Sequence, residues 1–331
     1  MLPSDLLLTI HIILLLPTSL MFTWLMMGFA RKINFLNLPN PIVENHKTPV
    51  PFGGGLAIGI TLLIFLALQF VKYPDAFNFF LFVLPILLVG LLDDILEFAP
   101  FTKLTLQALA AVPILLFHVH LSLLTLIVFL LYILLSQNAW NMIDIMDGLL
   151  SGLAIVIFLA IGIVLLANSE LEFYANLSFA IAFIVLGFRF FNRTPAKIYL
   201  GETGSLLLGS LYAFITVRTY SIDKITAGYL FLLGIIPFFE ILFLVIVRAK
   251  KGISIYKKSP DHFALRLLHH GFSVKTINSR VIFVSILYSI LIVITKLLTF
   301  NHIAFIICFI LTIIFSVLAY KYFNSLPVRD I

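Results

Sequence analysis

Charge is scarce in this sequence: only 11% of residues are Asp, Glu, Lys or Arg, where soluble domains carry about a quarter. No polar stretch is long enough to fold as a separate soluble domain, the longest running from Arg248 to Arg280. Cysteine is nearly absent too. The single thiol, Cys308, lies in an apolar run, which excludes an internal disulfide. No internal repeat, low-complexity tract or inter-domain linker breaks the chain. What fills it is apolar: 62% of the 331 residues are hydrophobic and the mean hydropathy is +1.16. A bilayer must therefore be the solvent for most of these side chains, and residues 1–331 read as one all-α integral membrane domain.

A spanning helix needs about 20 apolar residues. Eleven segments qualify: 5–28, 54–71, 77–92, 104–119, 122–137, 150–167, 173–188, 205–220, 226–247, 277–299 and 302–320. The first is long enough to span and shows no small-residue cleavage site, so no cleaved leader is expected. Eleven spans put the termini on opposite sides and sort the connections into two sets. One set comprises 29–53, 93–103, 138–149, 189–204, 248–276 and the C-terminal tail; with Arg280 at its edge it holds 17 of the 21 Lys and Arg. The other keeps Lys72, Arg218, Lys224 and Lys296. Cytoplasmic loops concentrate Lys and Arg, so the first set is expected in the cytoplasm, the N-terminus outside and the C-terminus inside. The same rule accounts for the net charge of +6, and no nucleic-acid partner is expected.

Acidic residues beside apolar runs are expensive and call for a reason. The run LLVGLLDDILEF ends a span with Asp93 and Asp94. Adjacent carboxylates repel unless a cation accompanies them; the alternative is a polar helix end among headgroups. In NAWNMIDIMDGLLSGL, Asn138, Asn141, Asp144 and Asp147 recur at threes along one side of a helix. Mixed amide and carboxylate oxygens suit a hard cation, or interhelical polar packing. In RFFNRTPAKIYLGETGSLLLGS, the GETGS segment opens a span and presents free N–H groups as an anion site, with Glu202 placed to hold a metal; the alternative is an ordinary helix cap. A Pro/Gly-rich loop carries His46 and Lys47, and the last long loop carries His262 and Arg266 four apart, with His269 and His270 as a solvated pair. Glu240 lies about two turns inside the ninth span, as a functional or a helix-pairing acid. All these motifs but Glu240 fall in the cytoplasmic set. Carboxylates, amides, cations and a helix N-terminus meeting on one face suit Mg²⁺-assisted chemistry on a phosphorylated substrate.

From about His46 to Gly271, five motifs in order (HKTPVPFGGG, LLDD with Lys103 nine residues on, NAWNMIDIMDG, FNRTPAKIYLGETGSLLLG and SPDHFALRLL) resemble the polyprenyl-phosphate N-acetylhexosamine-1-phosphate transferases, membrane glycosyltransferase family 4. The resemblance implies transfer of a sugar-1-phosphate from a UDP-sugar to a polyprenyl phosphate, with release of UMP. It implies Mg²⁺ as cofactor, with Mn²⁺ as the alternative ion, at a cytoplasmic site in a bacterial inner membrane, and it allows a homodimer. It assigns acceptor activation to Asp93 and Asp94, a pyrophosphate contact to Lys103 and metal ligation to Asn141 and Glu202. It places Asp144 and Asp147 near the uridine, stacks Tyr199 on uracil, and puts Lys47, His262 and Arg266 at the donor. Three departures stand out. GETGS replaces the family's GD.GS, DIMDG replaces DGxDG at Ile145, and Ala264 and Leu265 replace histidines of the last loop. They leave the donor sugar open and favour the branch that starts O-antigen, teichoic-acid or capsule-type polymers over the pentapeptide-carrying one. The competing readings are an intramembrane prenyltransferase, a transporter or channel, and an inactive homologue.

Overall fold

A backbone in hydrocarbon must satisfy its polar groups internally, and helices do so within one segment. The computed structural model describes residues 4–38, 48–116, 118, 120–255, 259–299, 302–326 and 328, and is almost entirely helical. Each of the eleven apolar segments coincides with a helix, or in one case with two: α1 (Ser4–Lys32), α2 (Gly54–Gln69), α3 (Pro74–Leu96), α4 (Pro100–Leu116), α5 (Leu123–Ile143), α6 (Leu149–Leu165), α7 (Glu172–Asn192), α8 (Gly201–Ile222), the pair α9 (Lys224–Leu233) and α10 (Ile235–Lys250), α12 (Val274–Thr299) and α13 (His302–Ser325). A short α11 (Phe263–His269) lies in the last loop, and a two-residue antiparallel ladder, β1 (Leu36–Asn37) with β2 (Val50–Pro51), follows α1. Among the described residues seven helices are long and apolar enough to cross a membrane, or eight with the α9–α10 pair as one bent span; α2, α4 and α6 are shorter. The chain is a multi-pass membrane protein.

The expected ninth span is broken at Gly234, with a bend of 63°. The bend frees carbonyls of α9, and the Tyr212 hydroxyl donates to two of them, those of Leu230 and Phe231, at 3.0 and 3.1 Å. A side-chain partner of this kind is what lets a helix break at membrane depth.

Helix α8 is the axis of the bundle. Of its most apolar stretch 78% is buried, against 11% for α13, whose Ile, Leu and Phe side chains form an exposed apolar surface. Around α8 pack α2, α3 and α5. The antiparallel pair α3–α8 defines two polar ends. At one end Arg218 of α8 meets Asp75 and Tyr174. At the other the N-terminus of α8 meets Asp94, the last acid of α3. The motifs that carry Asp93 and Asp94, Asn141, and Glu202 meet at this second end.

Candidate active site at the N-terminus of helix α8

The first four N–H groups of a helix have no partner within it. The GETGS reading expects them open for a ligand; in α8 two of them, the N–H groups of Glu202 and Thr203, are already taken. Asp94 occupies that position: its Oδ1 accepts from Glu202 N at 2.7 Å, and its Oδ2 accepts from Thr203 N at 3.0 Å and from Thr203 Oγ1 at 2.5 Å. A carboxylate fixed in this way also complements the positive helix end. The close approach depends on Gly201. Its φ of +74° disfavours any other residue, and a Cβ there would lie 2.7–2.8 Å from the Asp94 oxygens.

Asp93 is turned differently. It is 5% exposed, and Oδ1 accepts from Phe98 N at 2.9 Å. Oδ2 has no aligned hydrogen-bond donor; what it faces is the Lys103 ammonium at 2.9 Å. Lys103 in turn meets Glu202 Oε2 at 2.5 Å. The same Glu202 oxygen takes Asn141 Nδ2 at 2.5 Å, and Asn141 also donates to Ser205 Oγ at 3.0 Å. Asp93, Lys103, Asn141 and Glu202 thus converge from four helices, α3, α4, α5 and α8, on one partly open spot, with Asp94 as its anchor. Thr203 and Ser205, which sequence reading passed over, complete it; hydroxyls in a Gly-rich turn give no signal of their own.

Beside this spot the chain turns from α5 into α6. Asp144 closes α5, and its carboxyl is pushed up to about 8, first by burial and then by the charges of Glu202, Asp94 and Asp147. Asp147 is locked in place. Its Oδ2 accepts from Ala196 N at 2.9 Å, and its carbonyl from Thr194 Oγ1 and from Asn278 Nδ2. Arg189 holds the Gly148 carbonyl. Arg189 and Asn278, to which the sequence assigns no role, are therefore the supports of this turn. Tyr199 is half-buried and clamped by its backbone, its N–H on Pro51 O at 2.8 Å and its carbonyl on Gly54 N at 3.0 Å.

The excess of carboxylates has a measurable consequence. A carboxyl whose folded value lies above its unfolded one stabilises the fold at low pH, and that contribution is lost as pH rises through the folded value. For Asp144 the loss falls between about pH 4 and 8. In EDTA, Asp144→Asn should therefore flatten the fall of Tm from pH 6 to 9 and gain a few °C, on the order of one or two kcal/mol, at the upper end. Parallel melting curves for the two proteins across that range would refute the clustering.

The last loop is tied inward. His262 Nδ1 bonds Glu240 Oε1 at 2.7 Å, and Glu240 is fully buried, so the acid inside the ninth span is paired with this loop. Arg266 is 2% exposed. It donates to the Asp261 carbonyl and carboxylate and to the carbonyls of Phe323 and Leu326. The structure does not bring Arg266 to the acidic cluster; its donors serve Asp261 and the end of α13. Asp261, 1% exposed, also holds Lys251 at 2.5 Å. Burial alone would raise its carboxyl, but bonds from Lys251 and Ser259 and the charges of Lys251 and Arg266 bring it below the usual range. His269 and His270 are exposed, as expected. Lys47 and His46 lie outside the described residues.

The donor set fits a small hard cation. Glu202 and Asn141 have adjacent side-chain ends, each carrying an oxygen; Asp93 Oδ2 lacks an aligned donor; and the Asp144 carboxyl, raised first by burial, has further carboxylates beside it. Among the described residues no three Asp, Glu, His or Cys side chains converge on one point. Mg²⁺ does not ask for that, since it is commonly held by one or two carboxylates, water and substrate phosphates.

Residues 76–220, which carry every helix of this cluster, match the family described as Glycosyl transferase family 4. An undecaprenyl-phosphate alpha-N-acetylglucosaminyl 1-phosphate transferase of Thermotoga maritima is 30% identical over 82% of this chain and 84% of that protein. A phospho-N-acetylmuramoyl-pentapeptide-transferase of Prochlorococcus marinus is 28% identical over 72% of this chain and 74% of its own. A second undecaprenyl-phosphate alpha-N-acetylglucosaminyl 1-phosphate transferase, from Escherichia coli O157:H7, is 25% identical over 76% and 75%. Similarity of this extent reaches well beyond the five motifs, and on it the chain belongs to glycosyl transferase family 4.

Proposed function

We propose that this chain transfers a sugar-1-phosphate, N-acetylhexosamine-1-phosphate in the first instance, from a UDP-sugar to undecaprenyl phosphate or a related polyprenyl phosphate. UMP is released, and the product starts a cell-surface polysaccharide. The observation that carries this reading is the Asp93–Lys103–Glu202–Asn141 cluster at one polar end of an apolar bundle. A lipid phosphate anchored in the bilayer presents its headgroup at such an end.

In this reaction an oxygen of the lipid phosphate attacks the sugar-bearing phosphorus, and the bond from that phosphorus to the bridging oxygen breaks. One anhydride replaces another, so catalysis rests on aligning two anions and offsetting their charge. Asp93 Oδ2 would take the acceptor's proton. Lys103, now between Asp93 and Glu202, would turn its ammonium to the phosphates. Glu202 and Asn141 would hold Mg²⁺, which when bound offsets charge on the diphosphate. Asp144 and Asp147 would meet the nucleoside, with Tyr199 against its base, and His262 would face the donor from the last loop. We read 1–331 as one eleven-span domain, N-terminus outside and C-terminus in the cytoplasm of a bacterial inner membrane; the bias of Lys and Arg supports that orientation. The transport alternative leaned on Glu240, whose partner is His262.

The test is a panel of UDP-sugars with undecaprenyl phosphate and Mg²⁺, read by UMP release. Turnover is expected with at least one UDP-N-acetylhexosamine, dependent on the acceptor and abolished by EDTA. Absence of UMP from every donor, or release that ignores the acceptor, would overturn the assignment.

A further inference from the structure

Between the C-terminal end of α7 and the start of α12 lies a cleft of about 570 Å³. Arg189, Arg193, Lys197 and Lys275 line it, and no acidic residue does. Six of the cations elsewhere have an acidic partner: Lys103 has Asp93 and Glu202, Lys251 and Arg266 share Asp261, Arg218 has Asp75, Lys72 has Glu172, and Lys296 has Asp223. The four in the cleft have no ion-pair partner among the described residues. Arg189 uses one nitrogen on Gly148 O and Ser151 Oγ and keeps further donors of its guanidinium. Four like charges gathered in one concavity repel one another and focus a positive field.

We propose that this cleft binds a phosphate ester. Its size is that of a small-molecule site. Arginine forks match phosphate oxygens two at a time, and the first turn of α12 adds the positive end of a 26-residue helix. The ligand is distinct from the reacting groups, but its walls are not idle. Thr194 and Asn278, which line the cleft, hold the carbonyl of Asp147, and Arg189 holds that of Gly148. An anion in the cleft therefore stiffens the turn beside the acidic cluster. Two sources supply such chemistry, an anionic lipid headgroup from the adjoining leaflet and a soluble phosphate ester.

The experiment uses the full chain in nanodiscs at fixed ionic strength. One arm compares discs of phosphatidylcholine with discs that also contain phosphatidylglycerol; the other adds glycerol 3-phosphate to phosphatidylcholine discs. Binding and Tm are followed for the wild type, for Arg193→Gln and Lys275→Gln on opposite walls, and for Lys32→Gln at the end of α1. At least one arm should raise the wild-type Tm, and affinity for that probe should fall about tenfold in either cleft variant while Lys32→Gln responds like the wild type. A response to phosphatidylglycerol alone identifies the lipid source, and one to glycerol 3-phosphate the soluble source. If neither probe acts, or if Lys32→Gln loses as much as the cleft variants, the cleft is not a site.

Discussion

Asp93→Asn is expected to lower the rate of UMP formation by about 10²- to 10⁴-fold, the range lost when a positioned base is removed, while the protein remains folded. The Asn keeps an oxygen for Phe98 N, and Lys103 keeps Glu202. What disappears is the one carboxylate oxygen of the pair that lacks an aligned donor. Asp94→Asn should behave otherwise. Its two oxygens accept three hydrogen bonds from Glu202 and Thr203, and an amide nitrogen in place of either oxygen would face N–H groups. Bonds to a charged acceptor are worth about 1.5–3 kcal/mol each, so this variant should lose Tm as well as turnover. The adjacent aspartates are thus separated by the kind of loss each shows. Equal Tm losses in the two variants would contradict the division, and full activity in Asp93→Asn would remove Asp93 from the reaction.

That division could not be read from the sequence. Two adjacent acids at the end of an apolar run announce unusual electrostatics, but which one faces a cation depends on α8, whose N-terminus arrives more than 100 residues later. The same blindness produced the open anion site at GETGS. The segment does begin a helix, yet the acid that caps it comes from α3. Periodicity and length located the apolar helices because both are local properties. They missed the break at Gly234, since the hydroxyl that makes it tolerable, Tyr212, belongs to another helix. The resemblance put His262 and Arg266, four apart in the last loop, at the donor. Arg266 turns inward instead, because Asp261 stands five residues before it and the end of α13 offers two further carbonyls. The partner of Glu240 was equally out of reach, the histidine lying 22 residues away across a loop.

Gly55→Ala should be the most damaging single methyl in the protein. Gly55 stands at the first turn of α2 against the first turn of α8, with no side chain between them. A Cβ there would fall 2.6 Å from Gly204 Cα and 2.7 Å from the Thr203 carbonyl carbon, and closer still to Gly204 N. These are backbone atoms that cannot rotate aside, so one helix must move. The movement strains two bonds, Gly54 N to Tyr199 O at 3.0 Å and Gly55 N to Leu200 O at 2.9 Å. Overpacking costs about 1–3 kcal/mol and each hydrogen bond about 0.5–1.5, giving a loss on the order of 2–6 kcal/mol. That is a large share of the 5–15 kcal/mol typical of a domain. The residues displaced carry the donors to Asp94 and the carboxylate of Glu202, and a shift of about 1 Å at a reacting site can cost about 10²-fold in rate. Gly28→Ala is the matched comparison. It lies inside α1 with nothing near its added methyl, and replacing an interior helical glycine should leave stability unchanged or raise it by up to about 1 kcal/mol. Melting in detergent together with UMP release reads both variants, and a Gly55→Ala protein that matches the wild type in both would mean that α2 and α8 do not meet there.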